Sequence, residues 1–144
     1  MKSILVKITV LVFLVLEMSC GGGDIPDCPS KMCVLSGEWR LTQIYANGVL
    51  DTSIDLEKYK LTLIMPNPTS APTANFNRVN LTGVTDTGIW TIGNNNTVLT
   101  LTPQSGIAEP YIIKSYTPRK IVLVIERDVN KTGPDEFEYV LEPF

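Results

Sequence analysis

Ser36-Gly37-Glu38-Trp39-Arg40-Leu41 is the first point at which a glycine turn opens into alternating apolar and polar residues. A period of two is what a half-buried β-strand requires, because successive side chains point to opposite faces. From here the row Trp39, Leu41, Gln43 and Tyr45 faces one way and Arg40, Thr42 and Ile44 the other, until Ala46-Asn47-Gly48 makes a turn. Seven further runs follow: Lys58 to Met65, Ala74 to Leu81, Gly88 to Ile92, Val98 to Thr102, Tyr111 to Tyr116, Lys120 to Arg127 and Glu136 to Leu141. An alternating sheet must hide one face and dispose of its edges, and closure achieves both. The reading is an all-β chain forming an eight-stranded antiparallel up-and-down barrel, with its last strand closing against its first. A two-sheet sandwich also absorbs eight strands, but its usual sign, paired core cysteines flanking a tryptophan, is absent.

Between the strands, Asp51 to Glu57 predicts a short capped helical turn covering one barrel end. Pro66-Asn67-Pro68-Thr69-Ser70-Ala71-Pro72 is a loop, since three prolines remove three ladder donors. Gly93-Asn94-Asn95-Asn96 is a turn of residues that tolerate positive φ. In Lys120 to Arg127 both rows are apolar, so the strand's outer face is expected to be covered by the tether, by neighbouring side chains or by a partner protein.

Residues 1–19 open with Lys2 and Lys7, continue through the apolar run Ile8 to Leu16 and end with Met18-Ser19 before Cys20. That is the pattern of a secretory signal, shorter than the roughly 20 apolar residues a spanning helix needs. The triple glycine Gly21 to Gly23 reads as a flexible spacer. Cys28 and Cys33 lie close together in an exported chain, which favours a small disulfide loop; a redox pair would want two residues between its cysteines. The expected organisation is a leader at 1–19, a tether at 20–33 and a barrel domain at 34–144.

Of the 144 residues 12 are basic and 15 acidic; removing Lys2, Lys7 and Glu17 with the leader leaves 10 against 14, a charge of −4. Nucleic acid is therefore not an expected partner, because no clustered basic face is visible. Histidine is absent, which removes the commonest general base and metal ligand together. Asp128-Val129-Asn130-Lys131-Thr132-Gly133 reproduces the first half of a calcium loop, but Tyr139 stands where a bidentate glutamate is needed, so a polar hairpin explains it better. Asp135, Glu136 and Glu138 border the same turn as solvated carboxylates rather than a catalytic pair. No catalytic residue, metal site or cofactor is expected.

Two resemblances add to this. Ser19-Cys20 resembles the lipobox of bacterial lipoproteins, with Glu17 a departure from it; the resemblance implies acylation of Cys20 and a bilayer as partner, in the cell envelope and at the outer membrane. Gly37-Glu38-Trp39 opening the first strand, Gly88-Ile89-Trp90 opening the fourth and the hairpin spacing resemble the lipocalin-like domains of such lipoproteins. That resemblance implies a barrel-closing core of Gly37, Trp39, Trp90 and Arg127, the arginine lying against the Trp39 indole. It also implies a small apolar or amphipathic ligand, for which the inward row Leu61, Leu63, Met65, Ile92, Leu99, Ile113 and Leu123 is the expected lining. Two functions stay open: a non-catalytic carrier with one pocket opening opposite Trp39, and a tethered interaction or structural module with a filled barrel and a protein partner.

Overall fold

The computed structural model describes residues 31–65, 73–130 and 133–144. A short helix, α1 (Lys31–Leu35), leads into nine strands: β1 (Gly37–Ala46), β2 (Val49–Leu50), β3 (Lys60–Leu63), β4 (Thr73–Val79), β5 (Thr85–Gly93), β6 (Val98–Pro103), β7 (Glu109–Thr117), β8 (Lys120–Asn130) and β9 (Gly133–Pro143). Every pairing is antiparallel between chain neighbours, apart from β1, which skips the two-residue β2 to meet β3 and also pairs with β9 along Trp39↔Pro143 to Ala46↔Phe137. That last ladder closes an eight-stranded up-and-down barrel and sets the sandwich aside.

The interior is filled by alternate residues of each strand. Trp39, Leu41, Tyr59, Leu61, Leu63, Ala74, Phe76, Trp90, Leu99, Leu101, Tyr111, Ile121, Leu123, Ile125, Tyr139 and Leu141 form one buried cluster. In β1 the expected row holds only as far as Leu41. A bulge between Leu41 and Gln43 inserts a residue against β9, so Ile44 turns inward while Gln43 is exposed and Tyr45 half-buried. Both rows of β8 are buried, as its composition predicts: Ile121, Leu123 and Ile125 join the core, and Val122 and Val124 are covered on the outer side.

The two ends differ. At one end α1 drops Met32 and Leu35 into the core, and Trp39 Nε1 donates to the Leu35 carbonyl at 2.8 Å. This helix begins within the stretch read as tether, so its last turn belongs to the folded domain. Trp90 Nε1 donates to the Ile64 carbonyl at 3.1 Å at the same end. Residues Asn94, Asn95 and Asn96 all take left-handed conformations in the β5–β6 turn there. At the far end the stretch 51–57 is not helical. Asp51 Oδ1 instead accepts from the Ser53 amide at 2.9 Å and Asp55 Oδ1 from the Glu57 amide at 3.2 Å, as Asx turns do. Ile54 and Leu56 from this loop pack onto the core, so it covers the end without being a helix. β8 and β9 run on to an Asn130↔Gly133 pair, a tighter hairpin than the sequence predicts.

Candidate functional site

The alternation Ala74, Phe76, Arg78 in β4 points an arginine into the barrel beside two apolar residues. A buried guanidinium demands partners, because an unpaired charge in a low-dielectric interior costs several kcal/mol. Arg78 finds them at the far end on β5 and β7. Nε and Nη2 reach Asp86 Oδ1 and Oδ2 at 3.1 and 2.6 Å; Nη1 and Nη2 reach Glu109 Oε2 and Oε1 at 2.6 and 2.9 Å; Nη1 also donates to Tyr111 Oη at 3.2 Å. A guanidinium has five N–H donors, and these five bonds use them all. The Tyr111 hydroxyl in turn donates to Glu109 Oε2 at 2.7 Å.

Tyr139 stacks on Tyr59 with ring centroids 6.5 Å apart and lies tilted to Tyr111 at 6.2 Å. Burial raises the hydroxyl pKa of all three tyrosines, so they stay neutral at physiological pH. Burial also works against the Arg78 charge, but the Glu109 and Asp86 hydrogen bonds outweigh it and raise the pKa. Its hydrogen bond to Arg78 holds the Glu109 carboxyl below the usual range, against a smaller opposing effect of burial and with help from Tyr111. The cluster is thus two carboxylates, one saturated cation and neutral phenols. It offers no free guanidinium donor pair to an anion; what it does is brace β4, β5 and β7 across the barrel end.

Of the residues expected to line a ligand pocket, Leu61, Leu63, Leu99 and Leu123 are at most 2% exposed. Surface closed to a water-sized sphere borders no void that could hold a water, so these four are core packing. Ile92 and Ile113 are half-buried and packed against the core, whereas Met65 lies past the end of β3 and is 55% exposed. At the far end the inward positions also include the charged Arg78 cluster. A shallow groove of about 280 Å³ on the outer face, lined by Asn75, Gly88, Ile89, Thr102, Pro103 and Gln104, involves none of the seven.

No protein-family model matches the chain, and no curated protein matches it in sequence. The barrel itself is consistent with a calycin-like fold.

Gly37, Trp39 and Trp90 come together at the α1 end. Arg127 is exposed near the far end of β8, opposite Asp135, and its charge acts on Glu109 and Tyr139 rather than on the Trp39 indole. Cys33 is half-buried on α1, while Cys20, Cys28 and the pairing of Cys28 with Cys33 fall outside the described residues. Among the described residues no group of three or more potential ligands is arranged for a metal ion. Asp135 Oδ1 accepts from Asn47 Nδ2 at 2.9 Å and Glu138 is ion-paired with Lys114, both at the surface.

The Arg78 cluster had one legible signal, an arginine sharing the parity of Ala74 and Phe76. Its partners were hidden, because Glu109 lies three strands away around the barrel wall.

Proposed function

We propose that this chain is a lipid-anchored cell-envelope protein whose barrel is a solid, non-catalytic interaction module. The observation that carries this reading is the closed packing of Leu61, Leu63, Leu99 and Leu123. An eight-stranded barrel is narrow enough for side chains to fill, and the burial of Trp39, Tyr59, Phe76, Trp90, Tyr111 and Tyr139 supports that here. The anchor rests on Ser19-Cys20 and the leader before it. A titration with an environment-sensitive apolar dye tests the solid interior: the expected result is no saturable uptake, and one-to-one uptake that quenches Trp39 or Trp90 overturns it in favour of the carrier.

A second reading has one observation behind it. The side chains of Asp86 and Glu109 remain 20% and 28% exposed beside the three tyrosines. A small amphipathic cation fits that mouth better than an apolar guest, and it would compete with Arg78 for the carboxylates.

A further inference from the structure

The barrel is polarised in charge along its axis. Among the described residues, the segments at the α1 end are α1 with Ser36, the exit of β3 at Ile64 and Met65, the β5–β6 turn, the β7–β8 turn and Phe144. Their charged side chains are Lys31, Arg119 and Lys120, with no aspartate or glutamate among them. Within the barrel the nearest acids along the chain, Glu38 and Glu142, are paired with Lys60 at 2.8 Å and Arg40 at 3.9 Å, and in sequence Asp24 and Asp27 precede Lys31. At the far end the β2–β3 loop carries Asp51, Asp55 and Glu57 against Lys58, and on β8 and β9 Glu126, Asp135 and Glu136 outnumber Arg127.

The same α1 end exposes apolar side chains. Phe144 is 65% exposed, with Lys60 Nζ 4.7 Å from its ring centroid, and Met65, Ile64 and Val34 are exposed as well. Lys31 is fixed over this surface, with Nζ donating to the Asn96 carbonyl at 3.1 Å and lying 4.9 Å from the Tyr116 ring centroid. The chain also enters the barrel here: only ten residues separate Cys20 from Lys31.

We infer that the α1 end is a membrane-docking face that lies against anionic phospholipid headgroups, with Arg119 and Lys120 on phosphates and Phe144 and Met65 in the interfacial region. Exposed apolar side chains among cations are what an interfacial contact needs, and each cation near an anionic surface strengthens it. The acidic far end would be repelled by that surface, so the barrel stands with its Arg78 end outward. The inference rests on the reading that the chain is held at a membrane, but the face can be tested without the anchor. The β1–β9 ladder closes the barrel within the chain that follows the tether, so Gly21 to Phe144 made without its leader carries both the fold and the face, and no acyl group.

Co-sedimentation with phosphatidylcholine vesicles, and with vesicles also containing phosphatidylglycerol, gives the partition coefficient at low and high salt. Expected is binding to the anionic vesicles that weakens with salt. Arg119→Gln with Lys120→Gln should lower it about thirtyfold. Met65→Ser with Phe144→Ser should lower it independently, and Asp51→Asn with Asp55→Asn should not lower it at all. No binding, equal binding to both vesicles, or indifference to the cation pair overturns the inference. Fatty-acid labelling of the full chain, native against Cys20→Ala, tests the anchor separately: equal label removes the anchor and leaves the vesicle result standing on its own.

Discussion

The two Gly-x-Trp tripeptides look alike in sequence, yet their glycines are needed for different reasons. Gly37 takes a φ of +146°, a backbone that side-chain-bearing residues avoid, although a Cβ there would meet only Trp39 Nε1 at 3.7 Å. Gly88 has ordinary backbone, but a Cβ there would lie 2.1 Å from the Thr102 carbonyl oxygen and 2.8 Å from Pro103 Cα. Gly88→Ala must push β6 away from β5 and should lower the denaturation midpoint more than Gly37→Ala, whose cost is backbone strain of about 1–3 kcal/mol. A midpoint lowered equally by both would contradict this. Arg78 was not read as an inward residue, although it shares the parity of Ala74 and Phe76; its partners gave no sign at all, and the pairing carries a pH dependence. Glu109 has its pKa lowered in the fold, so the stability it supplies is complete above its ordinary value of 4.5 and is lost as pH falls through the lower folded value. Melting temperature followed from about pH 5 to about pH 2 should fall less steeply in Glu109→Gln than in the parent, starting from a lower value.

Among the elements, β1 shows where a period-two reading fails. The sequence alternates cleanly only from Trp39 to Thr42; polar Gln43 then follows polar Thr42 and apolar Ile44 falls in the row of Arg40, a slip of phase that marks the bulge after Leu41, while the register against β9 fixes it. Ile44 is therefore core and Gln43 surface. Ile44→Ala should cost about 2–5 kcal/mol in chemical denaturation and Gln43→Ala less than about 0.5 kcal/mol; the reverse order would place the bulge elsewhere. The Asn94 to Asn96 turn was legible for the opposite reason, since asparagine tolerates left-handed backbone and the composition of the turn states its geometry. At α1 the sequence suggested tether as far as Cys33. The burial of Met32 and Leu35 depends on a cap for the Trp39 end, which local sequence does not reveal.

For the molecule as a whole, strand number and closure were legible because they follow from hiding one face of every strand and leaving no edge. Whether the barrel is hollow was not, because Leu61, Leu99 and Leu123 would read the same along a pocket wall as in a packed core. The proposed solid interior rests on the burial of Phe76, Trp90 and the three tyrosines, and on an inward Arg78 that consumes its own carboxylates. The charge polarity from the α1 end to the far end likewise needs the topology, which gathers Lys31, Arg119 and Lys120 from distant parts of the chain. The solid interior is the claim on which the functional reading turns. Native mass spectrometry of the unacylated domain, after incubation in an extract of its own host, measures it directly: a solid barrel gives the mass of the polypeptide alone, and a retained small-molecule mass, lost on unfolding, would contradict it.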